Sequence, residues 1–253
     1  MSALDFQTLL LANLKTGDYV GFTFFVGTMA MMAASVFFFF EMSNVDRQWR
    51  TSLLVSGLIT FIAAVHYYYM RDFWAETQTS PTEFRYIDWI LTVPLMCVEF
   101  YLITKKAGGT MSLLWKLIIA SLAMLLLGFL GESTGIYNTP ETATMSWVMG
   151  LLSGLAYFYI LYMVMFGEVK QLAQNAGPNV AKAVNILGWF VLVGWAIYPI
   201  GYIAGTEGGL FGAQVLRGLQ MDIIYNIGDA VNKIGFGLTI YALAVASSSK
   251  ATA

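Results

Sequence analysis

Charge is scarce in this chain. Of its 253 residues only 13 are Lys or Arg and 15 are Asp or Glu, 11% together, against roughly 25% in a typical soluble domain. A single cysteine, Cys97, rules out a disulfide framework and a cysteine-based zinc site. A single histidine, His66, rules out a multi-histidine centre, so no metal site is expected. The net charge of −2 offers no basic surface for nucleic acid. In place of charge stand 58% hydrophobic residues, 15% aromatics and a mean hydropathy of +0.68. Such a composition excludes a disordered chain, and it argues against a soluble domain, which could not cover so much apolar surface. A polytopic membrane protein remains.

The few charges act as punctuation. Asp18 and Glu41 enclose 22 uncharged residues, and Arg50 and Arg71 enclose 20. Residues 86–104 hold only Asp88 and Glu99, and 107–131 only Lys116. Residues 142–167 and 183–206 hold none, and 223–249 hold only Asp229 and Lys233. Crossing the hydrocarbon core takes about 20 apolar residues as a helix. Seven segments qualify, near 18–41, 48–70, 84–105, 110–131, 142–168, 181–204 and 213–247. Long apolar runs without period-two alternation make these helices, not barrel strands. Breakers separate them at Lys106–Gly109, Tyr137–Pro140, Asn175–Pro178 and Thr206–Gly209. The expected fold is all-α, a single seven-helix bundle over residues 1–253 with no second domain.

Orientation follows the positive-inside bias. With the N-terminus outside, the inner segments hold Arg47, Arg50, Lys105, Lys106, Lys170, Lys182 and Lys250, with Lys116 near the inner end of the fourth span. The outer segments hold Lys15, Arg71 and Arg217, with Arg85 at the mouth of the third span. The C-terminus is therefore expected in the cytoplasm. Residues 1–16 lack a basic leader and a clear cleavage site, and read as a short amphipathic lead-in on the outer surface.

Ionisable residues within a span cost about 2.5–3.5 kcal/mol each on insertion scales, so each points to function. Asp229 and Lys233 lie four apart, on one face of the seventh span. They could be a buried pair that only fixes packing. The functional reading is a desolvated amine that forms a Schiff base with a carbonyl ligand, chemistry that among side chains belongs to lysine. The third span sets Arg85, Asp88, Thr92 and Glu99 close to one face. Asp88 and Glu99 are eleven residues, or about 16 Å, apart along the axis. From outside to inside this face presents a cation, a carboxylate, a hydroxyl and a second carboxylate, the layout of a proton relay. Pro94 between them is expected to kink the helix. Arg85 and Lys233 balance Asp88 and Asp229, which suggests one neutral buried cluster. Glu99 lies apart in a dry inner half, where desolvation disfavours the carboxylate, and is expected to rest protonated. The alternative for Glu99 is a neutral acid bonded to a neighbouring helix. Trp89, Trp195 and Tyr198 could wall a flat ligand, with Pro199 bending the sixth span, although such aromatics often only pack helices.

At these residues the chain resembles the microbial rhodopsins, most closely the proteorhodopsins. The segments that carry the resemblance are AVHYYYMRDFW (64–74), RYIDWILTVPLMCVEFYLI (85–103), YFYILYMVMFGE (157–168), WAIYP (195–199) and DAVNKIGFGLTIYALA (229–244). They stand in the right order and span essentially all seven segments. The resemblance implies a light-driven outward proton pump, a transporter and not an enzyme. Its cofactor would be all-trans retinal, held on Lys233 as a protonated Schiff base. It implies Asp88 as counterion and proton acceptor, Asp229 as second counterion and Glu99 as proton donor. Thr92 completes the pump triplet, and Arg85 gates the outward path. His66 pairs with the acceptor aspartate and tunes its titration. Trp89, Met96, Ser153, Trp195 and Tyr198 would line the retinal pocket. Met96 stands where the family tunes colour, and an apolar residue there implies green absorption. Gly150 stands where many relatives carry a bulky aromatic. It resembles the xanthorhodopsins, which implies a window for a carotenoid antenna, although Gly150 could simply ease helix packing. Glu207 and Asp222 are candidates for the release group. The resemblance also implies a bacterial inner membrane, contact with lipid and a homo-oligomer, pentamer or trimer. A retinal photosensor and a light-driven sodium or chloride pump remain as alternatives, which the Asp88–Thr92–Glu99 set disfavours. A non-photoactive seven-helix receptor would leave the buried charges unexplained.

Overall fold

The computed structural model describes residues 17–133, 136, 139–205 and 219–248. Among them all regular structure is helical: α1 Tyr19–Glu41, α2 Arg50–Thr77, α3 Thr82–Thr104, α4 Met111–Glu132, α5 Ala143–Met165, α6 Glu168–Asn175, α7 Pro178–Trp189, α8 Ile197–Gly205 and α9 Leu219–Ser248. Seven stretches are long and apolar enough to cross a membrane. The fifth combines α5 and α6, and the sixth combines α7, a π-helical turn at Phe190–Gly194 and α8.

Local chemistry sets the ends. The Asp18 side chain accepts from Gly21 N at 2.8 Å and so caps α1, and it also accepts from Trp74 Nε1 at 3.1 Å, which ties the start of α1 to the end of α2. Gln78 closes α2 with a left-handed φ of 54°. Thr110 caps α4 by accepting from Leu113 N at 3.2 Å. Pro178 opens α7 at the first turn, where its missing N–H costs nothing, and Gly177 supplies the φ of +106° before it.

Several boundaries differ from expectation, among them the end of the fifth span, which runs to Asn175 instead of 168. Helix α2 runs to Thr77, seven residues past the 70 expected from the charge at Arg71. Arg71 is nonetheless buried, paired with Asp72 at 3.2 Å and stacked over Tyr68. The sixth span begins three residues earlier than expected, since Pro178 starts its helix instead of preceding it. Helix α3 continues unbroken through Pro94.

Consecutive spans pack side by side, and α9 closes the bundle against α1, α2 and α7. One apolar core joins α2, α3, α4, α5, α6, α7 and α9, and a smaller one joins α1, α2 and α9. Large apolar residues such as Phe40, Ile119 and Leu151 face outward, as lipid in place of water allows. Hydroxyls within the core bond back to the helix: Thr60 donates to Ser56 O, and Thr104 donates to Phe100 O. The buried charged residues Arg85, Asp88 and Glu99 come from α3, and Asp222, Asp229 and Lys233 from α9.

Candidate functional site

Lys233 on α9 lies between two carboxylates. Its Nζ is 2.5 Å from Asp88 Oδ2 on α3 and 2.7 Å from Asp229 Oδ2 one turn earlier on α9. All three side chains are buried. Asp229 also accepts from Tyr198 OH at 2.9 Å, whereas the second oxygen of Asp88 has no hydrogen-bond partner. Two carboxylates around one amine leave an excess of negative charge that stabilises a cation at Nζ. The Thr92 hydroxyl donates to the backbone carbonyl of Asp88 at 2.9 Å, so it steadies the helix at the carboxylate and does not bond the carboxylate itself.

His66 approaches from α2. Its Nδ1 lies 3.9 Å from Asp88 Oδ1, too far for a direct hydrogen bond. The same nitrogen is 2.9 Å from Ile62 O. A carbonyl can only accept, so this contact is a hydrogen bond when Nδ1 carries the hydrogen.

The single neutral cluster expected from Arg85, Lys233, Asp88 and Asp229 divides in two. Arg85 turns away from Lys233 and donates through Nη2 to Asp222 Oδ1 at 2.7 Å and to Asn226 Oδ1 at 2.8 Å. Ser80 donates to the same Asp222 oxygen at 2.8 Å, and Asn226 donates to Thr23 Oγ1 at 2.9 Å. The guanidinium lies over the rings of Phe24 and Tyr225. Asp222, taken from the sequence only as a release-group candidate, is thus the buried partner of Arg85. Its position seven residues before Asp229, two helical turns on nearly the same face, carried that information. Glu207, the other candidate, lies outside the described residues.

Glu99 occupies the opposite half of α3 and is fully buried. It accepts from Ser56 of α2 at 3.0 Å through one oxygen, while its second oxygen has no partner. The neutral-acid alternative predicted such a bond to a neighbouring helix, and a donor awaiting release needs the same support.

Beside the charged cluster lies a cavity of about 670 Å³. Trp89, Val93, Trp195 and Tyr198 line it together with Gly128, Ser153 and Tyr157. Trp89 packs edge-on against Tyr198 with centroids 4.7 Å apart, and Tyr198 leads through its hydroxyl to Asp229. Met96 is buried but forms no part of this wall. Ser153 donates to Met124 O at 2.6 Å, so its hydroxyl is already occupied. Lys233, Asp88 and Asp229 do not themselves line the cavity, but Tyr198 joins its wall to Asp229 and so to the buried amine, and the apolar, aromatic-walled space fits an elongated polyene aldehyde such as retinal.

The cavity reaches the outer surface of α5 at Leu151, Leu155 and Phe158, which face away from the bundle. Gly150 lines it, and Tyr202 crosses that position: a side chain at Gly150 would meet Tyr202 Cε1 at 2.5 Å. Tyr202 OH donates to Ser146 O at 2.5 Å, which holds the ring there. One turn along, an added Cβ at Gly154 would meet nothing within 4 Å, so the freer space lies at Gly154. Sequence reasoning also missed Glu132. Placed among outer-loop acids, it lines the cavity and accepts from Tyr86 OH at 2.7 Å. No spacing rule links Tyr86 to Glu132, which meet only across α3 and α4.

Residues 18–247 match the family described as bacteriorhodopsin-like protein. The green-light absorbing proteorhodopsin of Gamma-proteobacterium EBAC31A08 is 45% identical over 240 residues, covering 94% of this chain and 92% of that protein. The blue light-absorbing proteorhodopsin from Med12 superposes with a TM-score of 0.75 at 41% identity, over 91% of this chain and 100% of that one. Xanthorhodopsin, a light-driven ion pump with a dual chromophore, superposes with a TM-score of 0.78 at 29% identity, over 94% and 98% of the two chains. With seven helices in this arrangement and a family match over nearly its whole length, the chain belongs to the bacteriorhodopsin-like family, the microbial rhodopsins.

Proposed function

We propose that this protein is a light-driven outward proton pump of a bacterial inner membrane, with its N-terminus outside. The observation that carries the reading is the buried amine of Lys233 between Asp88 and Asp229, with a second buried acid, Glu99, farther along the face of α3. Lys233 would hold retinal as a protonated Schiff base, and the bound retinal would supply the light absorption and isomerisation.

The chain's own residues move the proton. Asp88 takes it from Lys233 Nζ, since its second oxygen has no bond to lose when the carboxylate is neutralised. Asp229 accepts from the Tyr198 hydroxyl and holds the lysine end in place. Glu99, with Ser56 on one oxygen and none on the other, returns a proton to Nζ from the inner side. Arg85 and Asp222 close the outer path with a buried ion pair and orient the proton's exit. His66 biases Asp88 electrostatically, so pumping depends on pH. Outward direction requires an element with two arrangements that changes which side Nζ faces. Each exported proton then stores about 2.3 kcal/mol per 100 mV of membrane potential.

The donor role is checked with Glu99→Gln. Reprotonation at Nζ is expected to slow by about a hundredfold, the usual worth of a positioned proton donor, and azide or another small weak acid is expected to restore it. Unchanged kinetics, followed as the recovery of the visible band after a flash, would remove Glu99 from the path. A photosensor would not need this donor, so the same variant separates the two readings.

The cavity that reaches the surface beside Gly150 and Gly154 supports a carotenoid as a second chromophore. The protein assembles as a homo-oligomer in the bilayer, and it absorbs in the green, since the apolar Met96, although outside the cavity wall, adds no dipole near the chromophore.

A further inference from the structure

Glu99 gives up its proton in each cycle and must regain one from the inner side. Helices α2 and α3 run antiparallel, and three contacts hold one register along them: His66 beside Asp88, Ser56 on Glu99, and Gln48 accepting from Lys106 Nζ. Gln48 and Lys106 mark the inner end. Glu99 therefore lies seven residues, or about 10 Å, from that end. The core of this inner half is largely apolar. Leu53, Phe100, Ile103, Phe236 and Ile240 are buried in it, and the rings of Phe100 and Phe236 meet at 5.6 Å.

The buried hydroxyls there are of two kinds. Ser35, Thr60 and Thr104 each donate to a carbonyl of their own helix, which occupies them. Ser56 instead donates to Glu99 Oε1 at 3.0 Å, and Ser52, one turn nearer the inner end, acts on the same carboxyl. Trp49 continues this face of α2 three residues before Ser52, where the helix starts. Trp49 is only 8% exposed, yet its Nε1 hydrogen meets no acceptor among the described residues. A buried donor left in this way is costly, and an ordered water is a common remedy. Glu99 Oε2 is likewise without a partner. A lone donor and a lone acceptor thus stand on one polar line, with Ser52, which can both donate and accept, between them.

We propose that Trp49 and Ser52 form the entry through which a proton from the inner side reaches Glu99, by holding the water that delivers it. The indole N–H donates to the water oxygen, the water donates to Ser52 Oγ, and Ser52 donates to Glu99 Oε2. When the water takes up a proton from the inner medium, each O–H bond along the line shifts by one place. The hydronium gives a proton to Ser52, and Ser52 gives its own to Oε2. The carboxylate becomes the neutral acid, and water and hydroxyl are regenerated. The indole can only donate, so Trp49 positions the water and Ser52 relays the proton. Ser56, on the other oxygen, keeps the carboxyl turned towards α2. This rests on the light-driven pump reading with Glu99 as donor, and assigns the residues that recharge it.

The test uses the full chain reconstituted with retinal in lipid bilayers, comparing wild type, Ser52→Ala, Ser52→Thr, Trp49→Phe and Thr60→Ala. After a flash, the visible band follows the proton on Nζ, the infrared carbonyl band of the protonated Glu99 follows its loss and regain, and a pH-sensitive dye on the inner side follows uptake. A wild type without a visible band or light-driven acidification overturns the pump reading, and the entry with it; a wild type that pumps leaves the variants to decide on the entry alone. Ser52→Ala is expected to keep the band, the loss of the proton from Nζ and its return from Glu99. Recharging of Glu99 is expected to slow by about tenfold, the rate equivalent of one buried hydrogen bond. Trp49→Phe, which keeps a ring and removes the N–H, is expected to do the same. Ser52→Thr, which keeps the hydroxyl, and Thr60→Ala, whose hydroxyl serves its own helix, are expected to match wild type. Recharging at the wild-type rate in Ser52→Ala or Trp49→Phe would overturn the entry. So would a Ser52→Thr as slow as Ser52→Ala, or a variant in which the earlier steps slow to the same extent. Should Trp49→Phe fail to form pigment, the Ala and Thr variants at position 52 are read by the same three signals.

Discussion

Replacing Lys233 with Ala removes the visible absorption band completely. No other side chain near the cavity can take its place: the described lysines other than Lys233 sit near the helix ends and the connecting segments, and Arg85 is turned towards Asp222. The substitution also strands Asp88 and Asp229 as a buried pair of carboxylates without a cation, a loss worth about 3–5 kcal/mol in comparable buried pairs. Poor folding could then mimic loss of the chromophore. Lys233→Arg separates the two effects. Arginine keeps the positive charge between the carboxylates, but its guanidinium does not supply the free amine that condenses with an aldehyde. The folded Arg variant is expected to be as colourless as the Ala variant when retinal is added. A visible band in either variant would show that the chromophore is held elsewhere.

Asp88→Asn is expected to keep a visible band and to lose light-driven acidification, by on the order of a hundredfold or more for removal of a positioned acid–base group. The geometry gives the reason for choosing Asp88 over Asp229. Both carboxylates touch Nζ, at 2.5 and 2.7 Å. Asp229 is also held by Tyr198, and neutralising it would waste that hydrogen bond. Asp88 has an oxygen with no partner and His66 beside it. An amide at position 88 retains the shape but cannot take the proton. Acidification at the wild-type rate in Asp88→Asn would transfer the acceptor role to another group, with Asp229 the first to examine.

The parts of this site legible in the sequence were those that lie along a single helix. Asp229 and Lys233 are one turn apart, and Asp88, Thr92 and Glu99 follow the repeat of α3, so periodicity alone assembled both faces. Scarce charge made these positions conspicuous. What could not be read depends on how helices turn towards each other. Arg85 could have faced Asp88 or Asp222, and only the rotation of α3 against α9 puts Asp222 2.7 Å away. Tyr86 with Glu132, and Tyr202 over Gly150, are likewise contacts between helices with no fixed spacing. The break in the sixth span shows a different gap. Pro199 was expected to bend it, yet Pro199 sits within α8 and the irregular turn lies earlier, at Phe190–Gly194. That turn contains no proline. Its stability comes from Tyr157 and Asn232 on other helices, so no local pattern announces it.

The central claim is tested most directly by illuminating intact cells that express the protein with added retinal, in unbuffered medium, while external pH is recorded with and without a protonophore. The expected result is a light-dependent fall in pH that the protonophore abolishes. A light-dependent rise in pH that the protonophore enhances would contradict outward proton pumping and point to transport of another ion.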